Sequence, residues 1–289
     1  MVYIKLILTA LFWGGTFIAG RMVSADRPPA SVAFLRFAVA SVFLLALTLK
    51  VERRLPRILP SDIIPIILLG VVGIAAYNIC FFKGLQLIEA SRASLIIATC
   101  PIFITLFSAA IFKEPLSAMR LAGIGLSVIG AMTVISKGHI RQLFSGGVGL
   151  GELLILGCVL CWTAYSLIGK PLMPRLSPLT LVTYSSLIGA AGLAVPAVAE
   201  GLHRHITDYS AANWAAVVYL AVCGTVIGFV WFYQAIKAIG PARAGLFINF
   251  VPVWAIVLAV PLLGEPVTIS LLIGAALVIT GVCLTNRRK

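Results

Sequence analysis

Residues 81–130 return, without gaps, as residues 232–281. The offset of 151 pairs Arg92-Ala93 with Arg243-Ala244, Pro101 with Pro252, and Glu114-Pro115 with Glu265-Pro266. It also pairs Gly123 with Gly274, Leu126 with Leu277 and Gly130 with Gly281. Shared apolar composition matches Leu with Ile by chance, but it does not place two Glu-Pro pairs, two interior prolines and two glycine pairs in one register. A duplicated half that crosses a bilayer an odd number of times must enter it upside down. That is the pattern of a carrier working by alternating access.

The bilayer follows from composition. Hydrophobic residues make up 61% of the 289 residues and charged residues 11%, against roughly 45–50% and 25% in soluble domains. A soluble chain of this length has no core large enough to hide that surface. The net charge of +13 does not point to nucleic acid, because the basic residues sit at the ends of apolar runs, where they orient helices. Six cysteines all fall in apolar runs, and the Cys158–Cys161 pair has no His or acid beside it; packing is the better reading than a metal or redox site. Only Lys5 precedes the first apolar run and no A-x-A pattern follows it, so this segment is expected to be a retained span.

A span needs about 20 apolar residues. On that measure the chain predicts an all-α integral membrane fold of ten transmembrane helices, as two inverted five-helix repeats. The spans fall at 3–22, 31–49, 63–83, 92–112, 118–136, 150–170, 179–199, 213–236, 243–262 and 268–285. The first repeat covers 1–137 and the second 150–289, with 138–149 as linker. If both termini are cytoplasmic, fourteen Lys and Arg lie inside and seven outside, which favours that orientation.

Polar groups at membrane depth are costly and therefore informative. Arg36 lies within the second span, where a guanidinium fork can anchor a carboxylate or serve as a snorkelling structural group; Ser185 holds the matching place in the second half. Tyr77, Asn78 and Phe81 share a helix face, and Asn78 can meet a substrate or join helices. Thr99 and Pro101 in the fourth span, with Asn249 and Pro252 in the ninth, suggest broken helices that expose backbone groups. Trp13, Trp162, Tyr165 and Tyr184 are candidates for an aromatic wall, with Thr16 one turn from Trp13. Gly123, Ser127 and Ala131, with Gly274 and Gly281, predict close helix contact or a dimer surface. The three His and nine acids all lie in loops or near span ends, so no midplane proton relay is expected. No Walker motif points to ATP.

The segments LFWGGTFIAGR (11–21), FKEPLSAMRLAGIGLSVIGA (112–131), CWTAYSLIGK (161–170) and LLGEPVTISLLIGAALVITGVCL (262–284) resemble the EamA-type carriers of the drug/metabolite transporter superfamily, over nearly the whole chain. The resemblance implies an exporter of small metabolites, amino acids among them, in the bacterial inner membrane, with no cofactor. Residues and resemblance together predict a uniporter or exchanger of neutral or aromatic amino acids, a monomer or weak homodimer. The alternative is a multidrug, nucleotide-sugar or organic-anion carrier of the same fold, with or without proton coupling. An intramembrane enzyme is disfavoured, since the embedded Ser and Cys have no embedded base.

Overall fold

The computed structural model describes residues 1–88, 90–113, 117–135, 149–263 and 269–286. Glu114-Pro115, Glu265-Pro266 and most of the linker lie outside the described residues, and the Arg92 side chain is not described. No strand occurs among the described residues, and each expected apolar segment is helical where described apart from a turn at Ala98-Thr99. Among the described residues six helices are long and apolar enough to cross a membrane: α1 (Val2–Asp26), α2 (Pro29–Glu52), α3 (Pro60–Leu87), α7 (Leu150–Leu172), α8 (Pro178–Ala199) and α9 (Ala211–Ile239). Shorter helices are α4 (Ala90–Ile97), α5 (Cys100–Phe112), α6 (Ala118–Ile135), α10 (Pro241–Gly245), α11 (Phe250–Leu263) and α12 (Ile269–Asn286), with one further turn at Leu202–His205. Large apolar side chains such as Val42, Phe43, Ile64 and Val195 point outward, as expected of helices apolar on every side.

The interior prolines mark true breaks. Helix α4 stops at Ile97, the Thr99 hydroxyl donates to Ile96 O at 2.6 Å, and α5 restarts with Pro101 in its first turn. The missing proline N–H would be unsatisfied there in any case. In the second half a 3-10 turn, Leu246–Asn249, separates α10 from α11, and Pro252 again falls in the first turn of the new helix.

Two helix pairs organise the bundle, and both run antiparallel. In α2 and α8, each helix end is capped by a carboxylate from the end of its partner. Glu200 accepts from Ala30 N (3.1 Å), Ser31 N (2.7 Å) and Ser31 Oγ (2.9 Å) at the start of α2. Glu52 accepts from Thr180 Oγ1 (2.8 Å) and from Ser177 Oγ at the start of α8. Glu200 thus sits on orphan backbone donors, Glu52 reaches its helix through the Ser177 cap, and both lie at the positive end of a helix dipole; Thr48 and Thr183 share a buried hydrogen bond of 2.7 Å between the clasps. The second pair is α6 with α12. A Cβ built on Gly130 would stand 2.7 Å from Gly274 O, and one on Gly281 would stand 2.5 Å from Gly123 O. The two backbones touch because both helices carry glycine at the crossing.

Helices α3 and α9 share a departure from α-geometry. Val71–Ala76 and Leu220–Ile227 form π-helical turns. Tyr77 N reaches back five residues to Val72 O, and Gly228 N does the same to Cys223 O. Shifted by the repeat offset, the first π-turn falls inside the second. Such turns widen a helix locally and shift its carbonyls off the regular ladder, and they concentrate at functional sites.

Candidate functional site: an aromatic cavity around Arg36

Beside the two π-turns lies a small, partly open cavity. Its walls come from both halves: Trp13, Thr16 and Phe17 from α1, Arg36 from α2, Tyr77 and Phe81 from α3, Trp162 from α7 and Phe229 from α9. The helix breaks close it with Ile97, Cys100, Ile248 and Val251.

Arg36 is 4% exposed and is held from α9 by Thr225, inside the π-turn, and from α3 by Asn78, just past it. Its Nε donates to Thr225 Oγ1 at 3.0 Å, and its Nη1 donates to Asn78 Oδ1 at 3.1 Å. Each holder is fixed in turn: Asn78 Nδ2 donates to Ile74 O at 2.8 Å, and Thr225 Oγ1 donates to Leu220 O at 3.1 Å. The guanidinium also lies 5.1 Å from the Phe37 ring centre and 5.9 Å from that of Phe229. Nη2 has no acceptor among the described residues, and none of the lining residues is an acid. A buried guanidinium that is oriented but not neutralised attracts an anion. A second cation about 5 Å away would be repelled by about 3 kcal/mol at an effective dielectric near 20. That exceeds the roughly 0.5–2 kcal/mol an aromatic face returns to a cation.

The aromatic wall is interlocked. Trp13 and Trp162 meet edge to face with centres 5.1 Å apart, Trp162 and Phe229 at 5.0 Å, and Phe17 and Phe81 at 5.3 Å; Tyr77 stacks on Phe81 at 5.9 Å. The two tryptophans occupy matching places but unlike surroundings. Gly228 leaves room for the Trp13 indole, and Trp13 Nε1 donates to Gly224 O at 2.9 Å in the π-turn. At the matching place the first half carries Tyr77, whose ring packs on Trp162 at 5.7 Å. The Trp162 N–H is buried without an acceptor among the described residues. The Tyr77 hydroxyl likewise makes no hydrogen bond to a described residue.

Of the expected site residues, Trp13, Thr16, Arg36, Tyr77, Phe81 and Trp162 line the cavity. Asn78 stands behind, as a holder of Arg36. Tyr165 does not line it: its ring fills the space above Gly73, where a Cβ would be 2.1 Å away, and its hydroxyl bonds Ser185 at 3.1 Å. Tyr184 is remote, donating to Pro56 O at 2.8 Å near the Glu52 end of the bundle. Thr99 and Pro101 shape the break whose neighbours Ile97 and Cys100 form the wall. Asn249 is fully buried beside Ile248, and neither amide atom has a partner among the described residues. Phe17, Ile97, Cys100, Phe229, Ile248, Val251 and the Arg36 holder Thr225 are not among the residues that the sequence singles out for the site. The visible signal for Thr225 was a hydroxyl beside a glycine in mid-helix.

The profile of the EamA-like transporter family matches residues 1–136 and 149–287. The chain belongs to the EamA-like transporter family. It is therefore a multi-pass membrane transporter rather than an enzyme. Among EamA-like relatives, the chain is 29% identical over 281 residues to the uncharacterized transporter YyaM of Bacillus subtilis (strain 168), covering 97% of this chain and 92% of that one. It is 32% identical over 284 residues to a protein of Streptantibioticus cattleyicolor named probable terminal-alkyne amino-acid exporter, covering 98% and 92%. A crystal structure shares the fold at a TM-score of 0.78 and 21% identity, over 99% of this chain and 95% of that one.

Proposed function

We propose that this chain exports small carboxylate metabolites, neutral and aromatic amino acids foremost, from the bacterial cytoplasm by alternating access through the Arg36 cavity. The observation that carries the reading is Arg36 itself, buried, oriented by two fixed holders and unneutralised among aromatic side chains. Membranes tolerate such a charge where it faces a cavity or a partner. The substrate carboxylate docks on Nη2 and its apolar side chain lies among Trp13, Tyr77, Phe81 and Trp162. The amino-acid assignment is further supported by the name of the Streptantibioticus cattleyicolor relative.

Ten spans in two inverted five-helix repeats, residues 1–137 and 150–289 joined by 138–149, fit the antiparallel pairing of α2 with α8 and of α6 with α12. They also fit the recurrence of the π-turn. The two halves rock about the cavity, exposing it first to one face and then to the other. Both termini are cytoplasmic, by the excess of basic residues on that face, in an inner-membrane protein working as a monomer or weak homodimer. The driving force is the substrate's own gradient or exchange. Purified protein in liposomes should release labelled phenylalanine or leucine down a gradient without ATP and without a pH difference. Absence of flux across a broad amino-acid panel would remove amino acids from the proposal.

A further inference from the structure

The cavity is rich in donors and offers no negative charge. Arg36 Nη2 has no acceptor among the described residues, the Trp162 indole N–H is unpaired, and the Tyr77 hydroxyl is unused. The Trp13 N–H and the Thr16 hydroxyl are already spent, on Gly224 O and Trp13 O. A carboxylate only accepts hydrogen bonds, so it complements these donors. An ammonium only donates; here it finds neutral oxygens at best, next to a fixed guanidinium. The carboxylates of Glu52 and Glu200 are committed to helix ends, and Asp62 is paired with Arg175.

We propose that the site reads the carboxylate of its substrate and not an amino group, so that aromatic monocarboxylates are substrates in their own right and bind at least as tightly as the matching amino acids. The inference rests on the reading of the cavity as the transport site and names the chemistry that site selects. The aromatic wall supplies the second half of the recognition: Trp13, Tyr77, Phe81, Trp162 and Phe229 line the cavity with ring surface on which a planar apolar group can pack. The asymmetry of the two halves locates the reading head. Gly228 lets the second π-turn satisfy Trp13, whereas Tyr77 in the first half leaves Trp162 unsatisfied. The free donors therefore gather beside Tyr77, Trp162 and Arg36 and not around Trp13.

The test uses the purified full chain in detergent or nanodiscs and four probes sharing one ring: phenylalanine, 3-phenylpropionate, phenethylamine and uncharged 3-phenylpropionamide. Binding is followed by tryptophan fluorescence and by thermal shift. The expected order places 3-phenylpropionate at or below the Kd of phenylalanine. Phenethylamine should be weaker than phenylalanine by more than about tenfold, and the amide by about tenfold. Arg36→Gln should bring the acid to the level of the amide, while Arg36→Lys should keep part of the preference if Arg36→Gln fails to fold. Phenethylamine binding as well as phenylalanine, or 3-phenylpropionate binding more weakly than phenylalanine or not at all, overturns the inference. Loss of amino-acid flux with 3-phenylpropionate still bound would instead count against amino acids as the cargo.

Discussion

Arg36→Ala should stop transport while leaving most of the protein folded. The guanidinium is the only described charge lining the cavity, and a charge-assisted pair with a buried carboxylate is worth about 2–5 kcal/mol when one partner is removed. Flux at limiting substrate should fall by about 100-fold or more. Stability should change little, for two effects oppose. Asn78 Oδ1 loses its donor, a cost of about 1–3 kcal/mol, but a buried charge without a counter-ion disappears as well. Asn78 keeps its bond to Ile74 O and Thr225 its bond to Leu220 O, so the π-turns retain their internal ties. Arg36→Lys should recover only part of the flux, because an ammonium on a flexible stem cannot present the fork that engages Thr225, Asn78 and a carboxylate together. Normal flux in Arg36→Ala liposomes, with normal protein incorporation, would return Arg36 to a structural role.

Gly130→Val should be strongly destabilising at the α6–α12 crossing. Its Cβ would stand 2.7 Å from Gly274 O and from Val278 N, both backbone atoms that no rotamer change can move. Helices α6 and α12 would have to separate, at a cost of about 1–3 kcal/mol or more. Gly281→Val should behave alike, since its Cβ would meet Gly123 O at 2.5 Å. Gly125 lies on the same helix with nothing within 4 Å of its Cβ position, so Gly125→Ala should be neutral or slightly stabilising through helix propensity. The thermal midpoint in detergent reads this directly. Equal midpoints for Gly130→Val and Gly125→Ala would mean that the α6–α12 contact is not as close as described.

Sequence and structure agree where chemistry leaves a mark on residue type. Prolines at 101 and 252 announced breaks because they cannot donate, and glycines at 123, 274 and 281 announced contact because they lack a side chain. Arg36 stood out because a charge at membrane depth needs a reason. The apolar half of the cavity was not legible: helices hydrophobic on every side carry no periodicity to tell Phe17 or Val251 facing a cavity from Val42 facing outward. Tyr165 and Tyr184 were grouped with the cavity by residue type, yet Gly73 draws one into the packing and Pro56 O holds the other near the end of the bundle. The π-turns left no readable pattern either, since an extra residue per turn is a property of hydrogen bonding and not of composition. Nor could the sequence show that Tyr77 standing against Gly228 frees one indole donor and not the other.

Counterflow in proteoliposomes tests the account most directly. Vesicles preloaded with unlabelled phenylalanine or 3-phenylpropionate and diluted into trace labelled phenylalanine should take up label transiently above equilibrium, at a rate several-fold above that of empty vesicles. Arg36→Ala vesicles should take up none. A cavity that alternates between faces requires this exchange. Uptake that is unsaturable, indifferent to preloading and unchanged in Arg36→Ala would contradict a carrier built around that guanidinium.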